Sequence, residues 1–226
     1  MSKQNDQLHE KWKKWLEHLS DEVIELHTNR HIFLDVQDII NQNPSIQPSD
    51  FNEWTAKMYG SAMSIAVRRQ AINDEKSISF RCLLEEIKVN PTVMSRTRFK
   101  NDFVDTNYPE FMADRRFDEI AGAGREYLDT VGINADIQTL IDKTAKLHKY
   151  VNKRVAHHDR KEFTEIPTFG DLHEAIDYLE EILTKYWSLF TAFHISVCLR
   201  RHYDWRDVFR YPWITQGYTE PEYDCD

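Results

Sequence analysis

Apolar residues recur along this chain at steps of three and four. Leu8, Trp12, Trp15, Leu19, Val23 and Leu26 keep that step and predict an amphipathic helix with a wide aromatic stripe. A second helical pattern carries Ile32, Phe33, Val36, Ile39 and Ile40 and stops at Asn43-Pro44. Ser49 or Asp50 then caps a third helix with Phe51, Trp54, Met58, Ala62, Ile65 and Ala66 as its apolar positions, ending near Arg68-Arg69-Gln70. Gly60 inside it points to a close helix contact. Ser77 is expected to cap a fourth helix with Leu83, Leu84 and Ile87, ended by Asn90-Pro91.

Residues 92–107 are polar and basic and take no assignment. Pro109 suits the first position of a helix through Phe111, Met112, Phe117 and Ile120. Gly122, Gly124 and Gly132 punctuate the approach to a long helix over 134–161. Asn134 is its expected N-cap, with Asp136 in its first turn. Thr168 with Asp171 comes close to a capping box. The helix that follows carries Leu172, Ile176, Leu179, Ile182, Leu183, Tyr186 and Phe190 and extends toward Leu199. The aromatic tail of Tyr203, Trp205, Phe209, Tyr211 and Trp213 is expected to pack back on the body. No segment alternates with period two, so the expected fold class is all-α.

Composition agrees. The 226 residues are 41% hydrophobic and 30% charged, enough for a sizeable core, and six Gly and seven Pro are few for a turn-rich β chain. No apolar run matches a membrane span, and residues 1–6 lack the apolar core of a signal peptide. Cys82, Cys198 and Cys225 are odd in number and far apart, which argues for a reduced, cytoplasmic setting. Neither a Gly-rich phosphate loop nor a serine nucleophile motif is present, and no cofactor is expected.

The net charge is −9, which disfavours coating nucleic acid over the whole surface. Locally the balance reverses. From Asp142 to Lys161 there are seven Lys/Arg and two acidic residues. On the 134–161 helix, Ile137, Leu140, Leu147, Val151 and Val155 form the apolar stripe. Lys143, Lys146, Lys149, Tyr150, Lys153, Arg154, His157 and Lys161 fall on the other side. Such a face is either a solvated surface or an attractor of a phosphate backbone, with Lys146, Lys149, Lys153 and Lys161 as its nucleic-acid contacts.

Arg154 and His157 are three residues apart, so a regular helix brings them together. An imidazole exchanges a proton near neutral pH and a guanidinium holds phosphate oxygens, two parts of metal-free RNA cleavage. His157 lies with the cations, whereas His158 lies nearer the buried stripe. A zinc site from His148, His157 and His158 fits no common ligand spacing, so no metal is expected. Arg68-Arg69 at a helix end suits dipole neutralisation better than substrate binding.

The segment Val151-Asn152-Lys153-Arg154-Val155-Ala156-His157-His158-Asp159 resembles the signature of HEPN-like proteins, and more narrowly their abortive-infection, AbiU-like branch. Residues 59–86, with Arg68-Arg69-Gln70 and Ser79-Phe80-Arg81-Cys82-Leu83-Leu84, are similar to that branch. So are Pro167-Thr168-Phe169-Gly170-Asp171-Leu172 and residues 205–213. The resemblance covers the chain from about Trp54 onward. It implies a HEPN-like helical bundle over 49–215, preceded by an N-terminal helical extension over 1–48; residues 216–226, from Gln216 on, read by themselves as a disordered tail. It also implies a homodimer, a role in prokaryotic phage defence or toxin–antitoxin conflict, and RNA, an antitoxin or a defence-system protein as partners. In active HEPN ribonucleases an Arg is followed by a polar residue and, further on, by a His. Here Asn152 and His157 match the last two, while Val151 stands at the Arg position and Arg154 lies on the next turn. Two functions are therefore expected. One is a metal-independent endoribonuclease using His157, Arg154 and Asn152. The other is a catalytically silent helical module that binds RNA or protein.

Overall fold

The computed structural model describes residues 3–46, 49–104, 110–155, 164–197 and 205–213. Seven α-helices are formed among them: α1 (Lys3–Gln42), α2 (Asp50–Gln70), α3 (Phe80–Val89), α4 (Arg96–Val104), α5 (Glu110–Ala121), α6 (Thr130–Tyr150) and α7 (Phe169–Thr191). The only β pairing among the described residues is an isolated bridge between Ser95 and Tyr127. The fold is all-α.

The central position belongs to α7. Thr168 caps it: its Oγ1 accepts from the Asp171 backbone while the Asp171 carboxylate accepts from the Thr168 backbone, the reciprocal box read from the sequence. Its buried side chains Leu172, Ile176, Leu179, Ile182, Leu183, Tyr186, Leu189 and Phe190 run along its length. Helices α1, α2 and α6 pack on it, and α4 and α5 touch it as well. It ends at Thr191, short of Leu199, because Ala192 turns left-handed at φ 59° and donates its N–H to the Ser188 carbonyl.

The two helical patterns read within residues 6–40 are one 40-residue helix, about 60 Å long. Its stripe crosses the gap after Leu26 through polar residues. His27 and Thr28 are buried, and Thr28 Oγ1 donates to the Ile24 carbonyl at 2.8 Å. His27 Nε2 stands 3.1 Å from a Glu180 carboxylate oxygen on α7 without hydrogen-bond alignment. Residues 1–48 were expected as an extension. Their described part contributes Trp12, Leu16, Leu19, Val23 and Leu26 to the same hydrophobic cluster as α7.

Several local expectations change. Ser79, not Ser77, caps α3, accepting from the Cys82 N–H at 3.1 Å. Helix α6 starts earlier than Asn134: Asp129 caps it by accepting from Val131 N–H, and Gly132 lies inside it. Asp136 is therefore no first-turn residue. It accepts Lys185 Nζ at 2.6 Å and the Tyr186 hydroxyl at 2.7 Å, anchoring α6 to α7. Within the unassigned basic stretch lies α4, whose Phe99 and Phe103 are buried. Arg96 there clamps Asp114 and Asp118 of α5, and Arg98 pairs with Asp6 of α1.

Helix α2 turns the opposite face inward from the one its periodicity favours. Met63, Ser64, Val67 and Gln70 are buried, while Phe51, Met58 and Trp54 (58% exposed) point outward. The tail covers part of that outer face: the Trp213 ring meets Phe51 edge-on at 6.0 Å, and Arg206 pairs with Asp35 of α1. Trp213 and Tyr211 stay exposed, so this is contact without burial. At Gly60 the close approach is real, since a Cβ there would lie 3.3 Å from the Phe169 ring. The expected tail over 216–226 and the helix start at Pro109 lie outside the described residues.

Candidate nucleic-acid interface

Helix α6 presents the basic stretch, and it does not continue as a regular α-helix. After Tyr150 the backbone widens into a π-helical turn over Val151–Val155. A π turn inserts residues against the 100° phase, and such insertions recur at functional sites. The 100° phase therefore does not hold from Val151 to Val155. The expected pairing of Arg154 with His157 reaches beyond the described residues. Val151 is 2% exposed and faces the core; Asn152 is half-buried, and Lys153 and Arg154 are exposed. His157, His158 and Lys161 lie outside the described residues.

The lysines of α6 face carboxylates. Lys143 meets Glu174 at 2.9 Å, Lys146 meets Asp171 at 2.6 Å, and Lys149 meets Glu165 at 3.3 Å. Lys146, together with the Thr168 backbone and hydroxyl donors, holds the Asp171 carboxyl down at about 2. The Lys146 and Lys149 part of the expected phosphate-binding face is thus in a seam of ion pairs between α6 and the α7 region. A phosphate chain binding there must displace those carboxylates, in an exchange that salt weakens.

Elsewhere the structure gathers cations that sequence reading left apart. Arg68 and Arg69 are adjacent but diverge. Arg69 pairs with Glu22 of α1 at 2.6 Å. Arg68 follows Ser61 and Ser64 on the face of α2 turned to α6, where Ser61 Oγ lies 3.4 Å from the Tyr150 hydroxyl and Ser64 shares a small cavity with Leu147. Arg81, in the first turn of α3, donates Nη1 to the Ala71 carbonyl at the C-cap of α2, 3.3 Å away. His148 of α6 is held below the ordinary imidazole range by partial burial first, then by Arg68 and Arg81. The spacing 61–64–68 on one helix face was the available sequence signal for Arg68; nothing in the sequence tied Arg81 or His148 to it.

A cleft of about 650 Å³ between α5 and α7 is lined by Glu119, Asp177, Glu180 and Glu181 with Arg116 and Lys185, and its acid excess repels phosphate. Among the described residues no group of three or more His, Cys, Asp or Glu is placed to hold a metal ion, and no helix is long and apolar enough to cross a membrane.

No protein-family model, no curated protein and no solved structure matches this chain. The HEPN-like reading rests on the sequence blocks that carry the resemblance.

Proposed function

We propose that this is a HEPN-like helical protein of prokaryotic defence that engages RNA at the C-terminal end of α6 and cleaves it without metal, as a homodimer. His157 takes the 2′-hydroxyl proton, the 2′-oxygen attacks phosphorus to form a 2′,3′-cyclic phosphate, and the P–O5′ bond breaks as the 5′-oxygen takes a proton from water. Arg154 holds the phosphate oxygens as charge builds, and Asn152 orients the strand. The supporting observation is the π turn at Val151–Val155, which leaves Lys153 and Arg154 exposed beside half-buried Asn152. The test is incubation of mixed-sequence RNA with the protein in EDTA, beside identically purified His157→Ala. Cleavage by the wild type alone supports the reading; equal cleavage by both refutes it.

A second reading, a catalytically silent module that binds RNA or a defence partner, is favoured by Val151. Its side chain is buried where active relatives carry the motif Arg, so no cation occupies that position. RNA binding without cleavage by the wild type selects this reading. Light scattering at high protein concentration tests the dimer, which a monomer excludes.

A further inference from the structure

We propose that Arg68, Arg81 and His148 form a phosphate-binding site where the C-terminal turn of α2, the first turn of α3 and the last turns of α6 meet. Three observations converge on it. The Nε atoms of both arginines are buried and have no hydrogen-bond partner among the described residues. Among those residues neither arginine forms an ion pair, unlike Arg69 next door and unlike Lys143, Lys146 and Lys149 on α6. Both guanidiniums act on the same half-buried imidazole, with no carboxylate acting on it to offset them.

A buried donor left unmade is costly, and two guanidiniums beside an imidazole repel one another. An anion with several acceptor oxygens, seated on the outer guanidinium nitrogens, relieves that repulsion. A phosphate group fits the forked geometry of arginine, which donates two parallel N–H bonds, and a ring N–H of His148 adds a third direction. The helix C-termini offer a competing account, because cations near the last carbonyls offset the helix dipole. Arg81 does serve the α2 terminus through Ala71. Arg68 makes no such bond among the described residues, and its unmet donor is what the dipole account leaves over. The proposal stands apart from the ribonuclease reading, since it uses neither His157 nor Arg154.

The phosphate has two sources, an RNA backbone or a small phosphorylated ligand, and the experiment separates them. The full chain is titrated with inorganic phosphate and with AMP by calorimetry, while the His148 ring signals are followed by NMR. A 2′-O-methyl oligonucleotide, which metal-free cleavage cannot cut, is titrated by fluorescence anisotropy. The expected result is phosphate binding that shifts the His148 signals and weakens at least tenfold in Arg68→Gln and in Arg81→Gln. Arg68→Lys, which keeps the charge without the fork, falls between. A parallel weakening of oligonucleotide binding identifies the backbone as the source; weakening confined to phosphate and AMP identifies a small ligand. In the absence of anion, Arg68→Gln melts no lower than wild type, because it removes an uncompensated cation. The proposal is overturned if wild type binds no phosphate, if the Gln variants bind it equally well, or if Arg68→Gln lowers melting while anion binding is unchanged.

Discussion

Two cationic regions meet on α6, and they differ in what faces them. Toward α7, Lys143, Lys146 and Lys149 each find a carboxylate. Toward α2 and α3, His148 lies within electrostatic reach of Arg68 and Arg81, with no carboxylate among the groups acting on it. The first region is conspicuous in the sequence as a run of lysines at helical spacing. The second is assembled from three distant segments. A dense charge run on one helix is easily neutralised by the helix packed beside it, whereas like charges brought together from separate helices stay uncompensated unless a further partner supplies the counterion.

The largest expected effect strikes the contact between α6 and α7 at half-buried Asp136. Asp136→Ala leaves the buried Tyr186 hydroxyl and the Lys185 ammonium without their acceptor and should cost about 2–3 kcal/mol of unfolding free energy in urea. Asp136→Asn keeps an acceptor and should cost less. A destabilisation no greater than that of an exposed substitution would mean that α6 and α7 are held by apolar packing alone.

Next comes the contrast in nucleic-acid binding. With an RNA backbone as the phosphate source, the double variant Arg68→Gln/Arg81→Gln should weaken single-stranded oligonucleotide binding at least about tenfold, or about 1.4 kcal/mol, and lower the salt slope by about 0.7 for each phosphate no longer neutralised. Lys146→Gln/Lys149→Gln should weaken it by less than about threefold, since those lysines already have partners. The reverse order in anisotropy titrations at several salt concentrations would return the interface to the seam.

The effect of pH is smaller and has a clear sign. His9 and His27 are held below the ordinary imidazole range, by burial first and then by Arg98 and Arg30 respectively. Their unfolded forms take up protons more readily, so their contribution is present above about pH 6.5 and falls as pH drops toward their folded values. Urea unfolding should therefore show lower stability at pH 5 than at pH 7. Asp171, depressed to about 2, plays no part in that window; its contribution disappears only as pH falls from about 4 toward 2. The subtlest readout is the Asp171 carboxyl itself: in Lys146→Ala its titration by NMR should move up toward the ordinary carboxylate range, because Lys146 is the first cause of its depression.

What the sequence by itself determined is local. Helical periodicity and the scarcity of Gly and Pro determine an all-α chain. Asn43-Pro44 and Asn90-Pro91 stop α1 and α3, and the pairing of Thr168 with Asp171 starts α7, because stops and caps act within a single turn. Gly60 and Val151 were also legible, one as a close contact and one as a core position. What depended on neighbours was decided by tertiary structure alone. Whether His27 and Thr28 interrupt a helix or carry its stripe depends on Glu180 and the core around them. Which face of α2 is buried depends on the rest of the bundle, and Phe51 and Trp54 satisfy the pattern while lying outside. The partners of the α6 lysines come from α7 and the segment before it, and the company of His148 comes from α2 and α3. Burial and electrostatics are set by distances between segments remote along the chain, and those distances exist only once the helices have packed.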